Sequence, residues 1–177
     1  MNIREKARVF ATAAHAAVGQ KRKYTGEDYI VHPIEVAKIV SGVSGVTDEM
    51  IAAAYLHDCV EDTHITLKHI CEEFGNTVML MVDWLTDISK PGDGDRATRK
   101  SIDRKRIAGA PAEVHTIKLA DLISNTKSIV KHDRQFSRVY LEEKKQLIDV
   151  LTRGDITLRE MAIKLVVDSE IILSKKI

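Results

Sequence analysis

The sequence predicts an all-α fold, a single-domain helical bundle of about nine helices. Three observations carry that expectation. Proline and glycine are scarce, 3 and 9 in 177 residues, so few positions interrupt a helix. Apolar residues recur at three- and four-residue steps along nearly the whole chain. No stretch alternates convincingly with a period of two, and Tyr29-Ile30-Val31, the best strand-like fragment, is too short. The chain shows no internal repeat and no low-complexity segment.

Residues 2–18 carry Ile3, Ala7, Phe10, Ala11, Ala14 and Val18, one helical stripe. Gly19, Gly26 and a cluster of charges make 19–32 a loop. Pro33 suits the first turn of a second helix, which runs to about Val43. Thr47 is a good N-cap, and Asp48 and Glu49 favour the first turn of a third helix, which continues through Ile51, Ala54, Tyr55 and Cys59. Thr66 opens a short helix ending near Gly75, and a fifth covers roughly 76–87. Residues 88–95 hold Pro91, Gly92 and Gly94 and read as a loop. A basic helix follows over 96–108. Pro111 starts a long helix to about 131, and two more near 136–152 and 156–174 close the chain.

Composition narrows the function classes. With 27 Lys+Arg against 26 Asp+Glu the formal net charge is +1, which argues against coating nucleic acid through bulk charge. No apolar run reaches the length of a membrane span. The charged start Met1-Asn2-Ile3-Arg4-Glu5-Lys6 is unlike a signal peptide. Cys59 and Cys71 make no disulfide framework, so the reading is a reducing cytoplasm. Seven histidines are more than packing requires.

The densest chemistry is Leu56-His57-Asp58-Cys59-Val60-Glu61-Asp62-Thr63. On one helix His57 and Glu61 are four apart, as are Asp58 and Asp62, and the four make one polar patch. His57 and Asp58 can then face one metal ion, while Glu61 and Asp62 handle a proton. The plainer reading of such a patch is a solvated helix end. Three further features favour the metal. His32-Pro33 stands at a helix entrance. Asp121 lies inside apolar Ile117–Ile123, where an unpaired carboxylate is costly, so it needs either Lys118 or an ion. Asp121, Asn125 and Ser128 share one helix face, as a lined pocket would require.

His32, His57, Asp58 and Asp121 together supply two imidazoles and two carboxylates, a set suited to one Mn²⁺ per chain or another divalent ion. The run Lys21-Arg22-Lys23 puts three cations just ahead of His32, as a substrate with several phosphates would need. Lys90 and the Arg96–Arg106 cluster add a second basic region, mostly a solvated face. His15, His64, His69, His115 and His132 lack a partner set and read as surface or packing residues, and Cys59 reads as core.

These motifs resemble a known family. His32-Pro, His57-Asp58 within its acidic string, Lys118-Leu-Ala-Asp121 with Asn125, and Gly-Gln-Lys-Arg-Lys…Tyr-Ile-Val-His-Pro are similar to the HD-superfamily phosphohydrolases. The nearer resemblance is to the hydrolase domain of RelA/SpoT enzymes and the stand-alone small alarmone hydrolases, such as the metazoan SpoT homologue. It covers about residues 7–130, with the C-terminal helices at about 136–174 completing one HD hydrolase domain over 1–177.

The resemblance implies a Mn²⁺-dependent 3′-pyrophosphohydrolase that converts (p)ppGpp to GDP or GTP plus pyrophosphate. It implies His32, His57, Asp58 and Asp121 as metal ligands, and Glu61 and Asp62 as the acidic pair that activates water. It implies Arg22, Lys23, Asn125 and Ser128 as nucleotide contacts. Ala17, Asp87 and Thr126-Lys127 depart from the family pattern near the expected nucleotide and bear on substrate choice. Because the chain closes at Ile177, no synthetase domain is expected after it. Two alternatives stand beside this reading. The same metal centre could act on (p)ppApp or a nucleotide such as NADPH, or the chain could be a non-catalytic nucleotide sensor, against which Glu61 and Asp62 argue. The expected partner is a small nucleotide, with neither nucleic acid nor membrane, and a homo-oligomer is compatible with the sequence.

Overall fold

The computed structural model describes residues 1–175. Among these residues there are nine α-helices, a short 3₁₀ turn at Pro91–Asp93 and no strand, only an isolated bridge between Lys21 and Asp28. The all-α expectation holds. The chain divides into two compact units, Met1–Asp87 and the segment from Ile88 on, which are described in turn.

The first unit holds α1 (Ile3–Ala17), α2 (Val31–Ser41), α3 (Asp48–Leu56), α4 (Cys59–Asp62) and α5 (Leu67–Leu85). Side chains cap the helix starts: Asn2 accepts from the Glu5 N–H, Thr47 from Met50, and Thr66 from His69, whose Nδ1 accepts the Thr66 N–H in return. The central helix is α3, against which α1, α2 and α5 all pack. Its run Ala52-Ala53-Ala54 is fully buried, and such small side chains let neighbouring backbones come close. The helices read on either side of Gly75 form one element, α5, whose backbone leaves helical geometry at Gly75 (φ 83°), a left-handed value that glycine adopts without strain.

One expectation is corrected here. The helix through Ile51 does not continue across the acidic string. It ends at Leu56, the chain turns at His57-Asp58, and α4 restarts at Cys59 with Asp58 as its N-cap. Within an unbroken helix, neighbouring side chains diverge by about 100°. The turn removes that divergence and lets His57 and Asp58 converge.

The second unit holds α6 (Arg96–Ala108), α7 (Ala112–His132), α8 (Arg134–Val150) and α9 (Ile156–Ser174). Asp95, Asp133 and Asp155 cap α6, α8 and α9. The long α7 packs against α8 and α9, and α6 packs against α8. The loop ahead of α6 is anchored by the buried Asp103 carboxylate, which accepts from the Ile88 and Ser89 N–H groups and the Ser89 hydroxyl.

His115 corrects the reading of a histidine without partners. Its fully buried ring donates from Nε2 to the Ile107 carbonyl at 2.8 Å and accepts the Arg153 N–H on Nδ1 at 3.2 Å. Both bonds require the neutral tautomer. Burial holds this imidazole below its ordinary pKa, so the unfolded chain takes the proton more readily. Its stabilisation is therefore present above about pH 6.5 and lost as the pH falls from there. We expect His115→Leu to cost about 1–2 kcal/mol at pH 7.5, where the Arg153 N–H loses its acceptor. The gap from the unsubstituted protein should narrow at pH 5.5, as urea unfolding at the two values will measure.

Candidate metal centre

His32 is the second residue of α2, and Pro33 follows it inside the first turn, where a missing N–H costs no helical bond. The His32 N–H bonds back to the Tyr29 carbonyl at 3.0 Å, which fixes the entry angle of the chain. His57 stands at the turn after α3. Its Nδ1 lies 2.9 Å from the Ala54 carbonyl, one of the last-turn carbonyls of α3. A carbonyl only accepts, so Nδ1 carries the hydrogen, and in the neutral ring Nε2 is a lone pair.

That lone pair faces the Asp58 carboxylate. His57 Nε2 is 3.0 Å from Asp58 Oδ2, and His32 Nε2 is 3.7 Å from the same oxygen. The His32 and His57 rings meet edge to face with centroids 5.2 Å apart, and both residues are 1% exposed. One donor atom from each of the three residues falls within 4.8 Å of the others. A carboxylate oxygen and an imidazole lone pair at 3.0 Å repel unless positive charge lies between them. The donor set therefore fits a divalent cation, with the Ala54 carbonyl as the outer partner that orients His57.

Tyr29 belongs to this centre and was not singled out from the sequence. Its hydroxyl donates to Asp58 Oδ2 at 2.6 Å, and the Arg22 guanidinium lies over its ring at 5.7 Å. His15 is a second omission and corrects the reading that it lacks partners. It is 1% exposed, stacks on Tyr29 at 4.7 Å, and sits 2.6 Å from Gln20 Oε1 and 3.7 Å from Cys59 Sγ. Burial lowers the His15 pKa and raises that of the Cys59 thiol, so both stay neutral. Cys59 is core, as its position in the sequence implies.

Glu61 and Asp62 end α4 on the exposed side of the unit. Asp62 Oδ2 accepts from Gln20 Nε2 at 2.9 Å. The Asp62 carboxyl is pushed above the usual range, mainly by loss of water and further by the Asp58 charge, while the Gln20 amide opposes the rise. Lys23 lies over the Tyr24 ring at 4.9 Å.

Asp121 belongs to the second unit, on α7, and is 7% exposed. Its carboxylate meets Lys118 Nζ at 3.1 Å and accepts from Asn125 Nδ2 at 2.7 Å. Lys118 and Asn125 thus both meet the buried carboxylate. Burial lowers the nearby Lys144 to about 8, against the opposing pull of Asp121. Ser128 is half-buried one turn beyond Asn125. Thr126 is fully buried with its hydroxyl on the Leu122 carbonyl, so this departure from the family pattern is a core position.

The sequence profile of the HD domain matches residues 7–148. The guanosine-3′,5′-bis(diphosphate) 3′-pyrophosphohydrolase of Aquifex aeolicus is 33% identical over 147 residues, 81% of this chain and 19% of that protein. The GTP pyrophosphokinase of Streptomyces coelicolor is 34% identical over 136 residues, 75% of this chain and 16% of that protein. The chain thus spans less than a fifth of the length of these curated relatives. A solved structure described as "A metazoan ortholog of SpoT hydrolyzes ppGpp and plays a role in starvation responses" has the same fold, with a TM-score of 0.84 at 24% identity. That match covers 95% of this chain and 96% of the other. Among the described residues, no helix is long and apolar enough to cross a membrane.

Proposed function

The chain belongs to the HD domain family, and from that premise we propose that it is a Mn²⁺-dependent 3′-pyrophosphohydrolase of guanosine alarmones, acting in the cytoplasm as one hydrolase domain. The observation that carries the proposal is the His32–His57–Asp58 cluster, with both imidazoles buried and Asp62 one helical turn beyond Asp58. The names of the Aquifex relative and of the metazoan structure support the choice of substrate.

His32, His57 and Asp58 would hold the ion, and their mixed nitrogen and oxygen donors suit Mn²⁺; the family resemblance implies Asp121 as a further ligand. A divalent ion there lowers the pKa of water and offsets charge on phosphate. The Asp62 carboxylate accepts the proton of the attacking water, and its raised pKa brings it closer to working pH than an ordinary aspartate. The resemblance implies Arg22 and Lys23 as contacts of the phosphates and base, and Asn125 and Ser128 as contacts of the ribose and phosphates. Water attacks the phosphorus nearest the ribose 3′ oxygen. The bond to that oxygen breaks, the oxygen takes up a proton, and pyrophosphate carries away the oxygen of water.

The test is product analysis. Metal-stripped protein reloaded with Mn²⁺ and incubated with ppGpp should give GDP and pyrophosphate in equal amounts, with ppApp and NADPH as parallel substrates. Release from ppApp alone would reassign the base, and no release from any of the three would overturn the reading.

A further inference from the structure

The C-terminus of α1 turns back through Gly19, whose φ of 65° is left-handed. The Gly19 N–H bonds to the Ala16 carbonyl at 3.0 Å and the Gln20 N–H to the His15 carbonyl at 3.1 Å. This is the Schellman arrangement, and it brings the residue after the glycine over the residue five positions before it. An apolar contact usually fills that place. Here it is filled by a hydrogen bond between His15 Nδ1 and Gln20 Oε1 at 2.6 Å. The Gln20 carbonyl is held from the other side by the Tyr29 N–H at 3.3 Å.

The direction of every proton in this chain is fixed. A carboxylate only accepts, so Gln20 turns its Nε2–H₂ to Asp62 Oδ2 at 2.9 Å. Its Oε1 must then face His15, and Nδ1 must carry the hydrogen. His15 Nε2 is left as the acceptor that meets Cys59 Sγ at 3.7 Å. The sequence runs from the Cys59 thiol through His15 and the Gln20 amide to the Asp62 carboxylate. Without His15, the Gln20 amide could rotate by half a turn and set its oxygen against the carboxylate.

We propose that Gln20 is a positioning residue for Asp62, and that His15 acts through Gln20 by locking the orientation of its amide. The catalytic part of the proposal rests on the reading of Asp62 as proton acceptor. The bonds of this chain run to Asp62 and not to the three clustered donor residues, so the effect of Gln20 should fall on turnover rather than on metal binding.

Gln20→Met keeps the length of the side chain and removes the donor. It should lower kcat about 10-fold, the lower end of what outer partners of a metal site contribute, with KM and Mn²⁺ affinity near those of the unsubstituted protein. His15→Leu should lower kcat by less. His15→Asn, whose Nδ2–H₂ takes the place of Nδ1–H, should restore most of that loss. The double variant His15→Leu/Gln20→Met should lose clearly less than the product of the two single losses, because the hydrogen bonds from His15 to Asp62 run through Gln20. Additive losses, or a fall in Mn²⁺ affinity matching the fall in kcat, would overturn the proposal. A second readout needs no turnover. In ¹⁵N-labelled protein the Gln20 side-chain amide signals should move in Asp62→Ala and in His15→Leu, and stay in place in His15→Asn. If they do not respond to Asp62→Ala the clamp is absent, whatever the substrate. If they respond while no nucleotide is cleaved, the clamp stands and only the assigned reaction fails.

Discussion

His57→Ala is expected to remove divalent-cation binding and to lower turnover by more than the ~10–100-fold typical of outer-partner substitutions at metal sites. The reason is geometric. Ala54 fixes the His57 ring through Nδ1, so its Nε2 lone pair is committed to the space shared with Asp58 and His32. Alanine deletes that donor and leaves the Asp58 carboxylate with a proton donor in Tyr29 but one imidazole fewer. Calorimetric titration with Mn²⁺ measures the loss directly. Thermal unfolding supplies the control. A ligand that binds only the folded state at 100 times its dissociation constant stabilises by about 2.7 kcal/mol, so added Mn²⁺ should raise the Tm of the unsubstituted protein and leave that of His57→Ala unmoved. A variant that still binds Mn²⁺ with unchanged affinity would remove His57 from the centre.

The helices were legible because their signals are local. Thr47, Thr66, Asp95 and Asp155 cap where short polar residues precede an apolar period, and α6 and α9 begin and end within a residue or two of the reading. The turn at His57-Asp58 was not legible. Neither residue is a helix breaker, and Ala53-Ala54 before it and Cys59-Val60 after it continue the helical pattern. The break shows itself only in the convergence of His57 and Asp58. His15 was hidden for a different reason. Considered as one histidine on an apolar face, it reads as packing, and burial bears that out. Its signal was the spacing to Gly19, since a glycine four residues on sets up the turn that brings Gln20 onto the ring. The partners of His115 and Asp103 lie 8 to 38 and 14 to 15 residues away, beyond any local pattern.

Asp62→Asn should lower kcat by about 10²–10⁴-fold while Mn²⁺ affinity holds, the range expected when a general base is lost. Glu61→Gln should cost less. The two acids are adjacent and both exposed. The Asp62 carboxyl is pushed upward by loss of water and by the Asp58 charge, and the Gln20 amide holds it in place. A base works best when its pKa approaches the working pH and its oxygen is fixed toward the proton it takes. Asparagine keeps the size of the side chain and can still accept from Gln20 through its Oδ1, so the fold and the clamp survive while the negative charge does not. The pH profile separates the charge from the shape. In the metal-free protein the Asp62 carboxyl should titrate above the ordinary aspartate range, and in the Mn²⁺-loaded enzyme the acidic limb of kcat/KM should be lost in Asp62→Asn, whose residual activity should not titrate there. If Glu61→Gln proves the more damaging change and Asp62→Asn keeps the acidic limb, the roles of the two carboxylates are reversed.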